Sequence, residues 1–212
     1  MSFDRDHERH ILLARQLIRN EARALEEAAA RIGHEFVESV EMIASMKGRL
    51  GVIGVGKSGH VARKLAATFS STGTPAFFLH ASEAVHGDLG ALSKGDLALI
   101  VSHSGETPEV VALLPMIKRL ALPVIAITDN ARSTLALVAN VVIAPGDVAG
   151  SDPIGLAPTA SAAAAMAIGD ALALAVAQHR GLTPADFEHK PGGALGQLLE
   201  SVYRHDGSKD VA

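Results

Sequence analysis

The chain has 212 residues, 48% of them hydrophobic, enough for one sizeable α/β domain. It contains no cysteine, which excludes disulfides, thiol catalysis and cysteine metal sites. A formal net charge of −4, no basic block and 3% aromatic residues leave nucleic-acid binding without its electrostatic footprint or its stacking side chains.

The first residues are charged (Asp4, Arg5, Asp6, Glu8, Arg9) and show no secretory signal, so a cytoplasmic protein is expected. Residues 5–47 have helical periodicity, with Ile11, Leu12, Ala14, Leu17, Ile18, Ala22, Leu25 and Ala29 three or four apart. A break near Gly33 predicts two helices. Strands and helices then alternate: strand 51–55, helix 58–71, strand 76–80, a loop, strand 97–102 and helix 108–121. Strand 123–127, helix 131–138 and strand 140–144 follow. A long loop, Pro145 to Pro158, leads to helix 160–179, and shorter helices are predicted near 184–187 and from Gly193 to Tyr203. The apolar stretch Ala160 to Ala177 is Ala-rich and holds Gly169 and Asp170, so it reads as a buried core helix and not as a membrane span. Short apolar strands alternating with helices imply a parallel sheet covered on both faces. The expected organisation is N-terminal helices at 1–48 that pack on the domain and an oligomer interface, an α/β domain at 49–203 and a loose tail at 204–212.

Two β–α turns carry the chemistry. The apolar run Leu97 to Val101 stops at Ser102-His103-Ser104-Gly105-Glu106-Thr107, where Thr107 suits an N-cap and Pro108 the first helical position. A strand that runs through small polar residues into a helix start is an anion site, because free N–H groups and the positive end of the dipole point into the turn. Ser102, Ser104 and Thr107 add hydroxyl donors and Gly105 a compact backbone, so a phosphate monoester is the inferred ligand. The other turn is Gly54-Val55-Gly56-Lys57-Ser58-Gly59. Gly51 to Ser58 fits the P-loop spelling, but Val52 and Ile53 belong inside a strand. Gly54 to Gly59 fits the dinucleotide spelling, yet the strand ending in His80 lacks the ribose-binding acid at its end. A third reading is that the glycines bring backbone close to a ligand, with Lys57 and Ser58 facing it. Both turns, and the His80–Asp88 loop, lie at the carboxyl ends of strands, where ligands of such sheets bind.

Six blocks, in order, resemble one family. Gly-Val-Gly-Lys-Ser-Gly-His (54–60), Thr-Gly-Thr-Pro-Ala-Phe-Phe-Leu-His (72–80), Glu-Ala-Val-His-Gly-Asp-Leu-Gly (83–90), Ser-His-Ser-Gly-Glu-Thr (102–107), Gly-Leu-Ala-Pro-Thr (155–159) and Pro-Gly-Gly-Ala-Leu-Gly (191–196) are similar to the sugar isomerase (SIS) domain of D-arabinose 5-phosphate isomerases. The resemblance implies a three-layer α/β/α sandwich around a five-stranded parallel sheet of flavodoxin-like order. It also implies a homotetramer with sites shared between subunits and a phosphosugar ligand; no cofactor, metal, nucleic-acid or membrane partner is expected. The implied reaction interconverts ribulose 5-phosphate and arabinose 5-phosphate on the route to Kdo. Many members continue into a pair of cystathionine-β-synthase-type domains, and the likeness here is to the isomerase domain alone.

Such an isomerisation opens the sugar ring, removes the proton α to the carbonyl to give a cis-enediolate, and returns it to the neighbouring carbon. The resemblance places Lys57 at the family's active-site lysine, Glu109 at an active-site glutamate and His86 at a histidine near the sugar. Two further positions depart from the family. Its Lys-Glu-x-Cys-Pro is Ala149-Gly150-Ser151-Asp152-Pro153 here, so a family glutamate falls on Gly150, with Asp152 the nearest carboxylate. Its histidine before Pro-Gly-Gly falls on Lys190, preceded by His189. The resulting expectation is that Glu109 or Asp152 is the base, His189 assists ring opening, Lys57 steadies the oxyanion, and Ser58, Ser102, Ser104, Gly105 and Thr107 hold the phosphate. His80 and His103 read as structural or rim residues. A sugar-phosphate or nucleotide-sugar binding module without catalysis is the alternative.

Overall fold

The computed structural model describes residues 2–146 and 157–183. Asp152, His189, the helices expected at 184–187 and 193–203 and the tail lie outside the described residues. Two helices open the chain, α1 (Ser2–Ala30) and α2 (His34–Ser45), separated at Gly33. The alternating part runs β1 (Leu50–Gly54), α3 (Gly56–Ser71), β2 (Ala76–His80), α4 (Ala81–Val85), a 3₁₀ turn (Asp88–Ala91) and β3 (Leu97–Val101). It continues as α5 (Pro108–Arg119), β4 (Val124–Ile127), α6 (Thr134–Val138), β5 (Val141–Ile143) and α7 (Thr159–His179). The segment after β2, expected as a loop, folds instead into α4 and the 3₁₀ turn, because Ala81, Ala84 and Leu89 find cover beside α5.

All five strands are parallel, in the order β2-β1-β3-β4-β5. β1, β3 and β4 are buried along their whole length, which is why they read as unbroken apolar runs and not as alternating ones. One face of the sheet, with Val52, Leu99 and Ile125, packs against α2, α3 and α7. The opposite face, with Ile53, Ile100 and Ala126, packs against α4, α5 and α6. The result is a three-layer α/β/α sandwich. Strand order reverses direction between β1 and β3, so their carboxyl ends open a crevice.

The edge strand β2 is protected by cations. The guanidinium of Arg49 stands 4.6 Å over the ring of Phe77, and that of Arg63 stands 4.4 Å over Phe78, one on each face. On the inner helical layer, α7 meets α3 at Gly169. A Cβ there would lie 2.3 Å from Cδ1 of the buried Leu65, so only glycine admits this approach. Helix α7 is long and apolar enough to cross a membrane by length and composition, but 56% of that window is buried inside the fold, as suits a core helix.

Arg180, just past α7, ties three elements together. Its guanidinium donates to the carbonyls of Ile43 (2.8 Å) and Ala44 (3.2 Å) at the end of α2 and to Thr74 Oγ1 (3.2 Å) ahead of β2. Cations at helix carboxyl ends satisfy orphan carbonyls and complement the dipole. Arg180→Ala is expected to destabilise the fold by about 2 kcal/mol, because partly buried carbonyls lose a charged donor. The shift of the urea unfolding midpoint, with unchanged slope, measures it; an unshifted midpoint would show that water replaces the guanidinium at no cost.

Candidate functional site

The β1–α3 turn is built by glycines that let strand and helix touch. A Cβ on Gly54 would sit 2.7 Å from the Ser58 carbonyl oxygen, and one on Gly59 3.3 Å from the Gly54 carbonyl. Gly56 turns the chain with φ +58°. Gly51, which begins the P-loop spelling, lies inside β1, where a Cβ would be 2.6 Å from the Leu92 side chain. The P-loop spelling is therefore a coincidence of sequence. What the turn presents is Lys57, exposed, and Ser58, half-buried, at the start of α3.

The β3–α5 turn is braced from three sides. Ser102 is buried and its N–H still belongs to the sheet, donating to Ile127 O at 3.1 Å. Its hydroxyl lies 3.0 Å from Thr107 Oγ1 and accepts the Gly105 N–H at 3.2 Å. Gly105 adopts φ +65° beneath α6, where a Cβ would be 2.1 Å from Ser133 Oγ. Its carbonyl accepts the Leu135 N–H at 3.2 Å. Glu106 reaches across to α6, accepting from Thr134 N (2.7 Å) and Thr134 Oγ1 (2.9 Å), while Ser133 caps the same helix by accepting from Ala136 N (3.2 Å).

These contacts differ from the sequence expectation in two respects. Thr107 stands at the N-cap position, but its hydroxyl turns to Ser102 and does not cap α5. The Gly105 N–H is engaged inside the turn, with Ser102 O at 3.1 Å and Ser102 Oγ at 3.2 Å, so it is not an open donor. Ser104 is exposed; its Oγ accepts the Glu106 N–H at 3.2 Å, which leaves its own O–H to donate elsewhere. Glu109 is half-buried in the first turn of α5. His86 is exposed at the end of α4 and does not line the cleft described next. His80 packs its ring edge-on to Phe78, 6.2 Å between centroids, at the end of the edge strand.

A cleft opens over the carboxyl ends of β3 and β4, between the amino ends of α3 and α7. Val61, Val101, Ile127 and Ala165 form its apolar wall, and Lys57, Ser58, His103, Thr128, Asp129 and Ser161 its polar groups. The cleft thus joins the first glycine-rich turn to the second through His103. Sequence reasoning passed over His103 and did not single out Asp129, Thr128 or Ser161. Asp129 had a signal: it ends the apolar strand Val124–Ile127 one residue beyond Thr128, at the sheet edge where ligands bind. His103 Nδ1 and Asp129 Oδ2 are 2.5 Å apart, and Asp129 Oδ1 accepts the Gly146 N–H at 3.0 Å. The backbones of the two residues are joined as well, with Asp129 N donating to His103 O at 3.1 Å.

The chain is 47% identical over 187 residues to arabinose 5-phosphate isomerase KdsD of Pseudomonas aeruginosa, a match covering 88% of this chain and 57% of that protein. It is 44% identical over 186 residues to KdsD of Escherichia coli K12, covering 87% of this chain and 57% of the relative. The chain therefore spans somewhat over half the length of these relatives. Among solved structures, E. coli CFT073 c3406 in complex with arabinose 5-phosphate superimposes with a TM-score of 0.81 at 42% identity, covering 85% of this chain and 96% of that one. Residues 42–175 match the SIS domain, and the chain belongs to the SIS domain family.

Proposed function

We propose that this chain is an aldose–ketose isomerase domain that interconverts D-arabinose 5-phosphate and D-ribulose 5-phosphate through a cis-enediolate. The observation that carries the reading is the meeting of Lys57, Ser58 and His103 in one cleft at the strand ends, in a chain 42% identical to a protein solved with arabinose 5-phosphate. The phosphate is assigned to the start of α5, where Ser104 and Thr107 offer hydroxyls and the helix dipole favours an anion, with Ser58 on the facing turn. Lys57 stabilises the oxyanion that develops as the α-proton leaves. Glu109 is the carboxylate assigned to carry that proton, with Asp152 as the alternative base and His189 as the group expected at the ring oxygen. His86, which the family resemblance sets near the sugar, does not line the cleft of this chain. Gly150, where the family carries a glutamate, favours a phosphosugar-binding module without chemistry as the second reading.

Purified protein with D-ribulose 5-phosphate in D₂O is expected to exchange the α-proton and form the aldose, both read by NMR. Glu109→Gln is expected to lower both rates by about a hundredfold or more, the scale of a lost general base. Tight phosphosugar binding with no exchange would instead establish the binding module.

The two serines of the second turn separate binding from folding. Ser104→Ala is expected to weaken phosphosugar affinity by about 1 kcal/mol or more, since a charged acceptor loses a donor, and to leave thermal stability unchanged. Ser102→Ala removes a buried hydroxyl that organises the turn, so melting temperature falls along with affinity. Calorimetry and melting curves on both variants check this; equal affinity of Ser104→Ala and wild type would move the phosphate elsewhere.

We further propose a homotetramer with sites shared between subunits. Its support is α1, whose Ile11 (52%), Leu12 (59%) and Ile18 (66%) stand exposed while Ala24 and Ala28 are the buried apolar residues among those described. Light scattering is expected to give four times the 21.9 kDa chain mass, and a monomer mass at micromolar concentration would remove the claim.

A further inference from the structure

Beside Lys57, two titratable side chains face the cleft among the described residues: His103 and Asp129. Their environments divide the labour. Asp129 is 14% exposed, and both its oxygens have donors, Oδ2 from His103 Nδ1 at 2.5 Å and Oδ1 from the Gly146 N–H at 3.0 Å. It is placed to hold a neighbour and not to take a proton from a ligand. His103 is 51% exposed. Its carbonyl accepts from Thr128 Oγ1 and from Asp129 N, both at 3.1 Å, so backbone and ring are fixed by the same strand end. With Nδ1 turned to the carboxylate, Nε2 is the nitrogen left for a ligand. A carboxylate behind Nδ1 keeps the proton there and leaves the Nε2 lone pair outward.

We infer that His103, positioned by Asp129, opens the sugar ring of the aldose phosphate. The inference rests on the isomerase reading above and assigns a step that reading gave to a residue outside the described part of the chain. The 5-hydroxyl of a pentose 5-phosphate is esterified, so the aldose closes through its 4-hydroxyl to a five-membered hemiacetal. Nε2 takes the proton of the 1-hydroxyl, and the freed electron pair forms the C1 carbonyl. The bond from C1 to the ring oxygen breaks, its pair passing to that oxygen, and the imidazolium returns the proton there. One proton moves from oxygen to oxygen and nothing is oxidised or reduced. Lys57, across the cleft, is then beside a free carbonyl.

The test exploits a difference between the two sugars. Conversion of D-arabinose 5-phosphate requires ring opening. Exchange of the α-protons of D-ribulose 5-phosphate with D₂O does not, because that ketose has no free 5-hydroxyl with which to close a five-membered ring. In His103→Gln, conversion of the aldose is expected to fall about tenfold to a hundredfold, the range of a lost proton-transfer group, and ketose exchange to fall far less. Asp129→Asn places an amide donor against Nδ1 and moves the neutral ring's proton to Nε2. It is expected to lower kcat with little change in KM, and ¹⁵N NMR of the labelled imidazole reads the change of tautomer directly. An equal loss in conversion and exchange, or no loss in either, overturns the role of His103. Wild-type protein inert in both assays overturns the isomerase reading, and the ring-opening step with it.

Discussion

The contact between Gly105 and Ser133 governs the shape of the site. At φ +65°, with a would-be Cβ 2.1 Å from Ser133 Oγ, the β3–α5 turn can pass under the start of α6 only as glycine. From that crossing the other bonds follow. The Gly105 carbonyl meets Leu135 N, Glu106 meets Thr134, and Ser102 is left inside to meet Thr107. Each bond is modest taken singly, about 1 kcal/mol. Together they fix the backbone from which His103, Ser104 and the start of α5 project, which is what a site requires of its supporting groups.

The sheet supplies the second constraint. Because the strand order turns back between β1 and β3, the helices that follow these strands lie on opposite faces, and their amino ends approach from either side of one crevice. The close approach that this demands is met by small residues: Gly54 and Gly59 under α3, and Gly169 where α7 meets Leu65. The amino end of α7 then completes the cleft with Ser161 and Ala165. Packing and site are one arrangement here, because the helices that cover the sheet are also the walls of the crevice.

Among the described residues, charge in the cleft is arranged so that one cation is exposed and one carboxylate is held. Lys57 is open to solvent, whereas Asp129 is committed to His103 and to Gly146. On the isomerase reading proposed above, Lys57 would be the positive neighbour of the enediolate, and a histidine backed by a carboxylate would pass a proton between sugar oxygens without adding a free negative charge to the cleft.

Much of this was legible in the sequence by itself. Unbroken apolar runs marked β1, β3 and β4 because a parallel strand is buried on both faces, and the glycine- and hydroxyl-rich turns marked their carboxyl ends. Helix α7 was readable as core from its alanines and from Gly169 and Asp170. Other features needed the tertiary structure. The folding of residues 81–91 depends on α5, which lies later in the chain. Ser102 and Ser104 look equivalent in sequence, and only the crossing under α6 buries one and exposes the other. Glu106 reads as a turn acid until α6, 28 residues away, is placed beside it. His103 and Asp129 likewise follow different strands and become a pair only when β3 and β4 align. Local periodicity reports which residues are buried in a strand or helix; which side chains from distant turns meet is decided by strand order and register, and these are set by long-range packing.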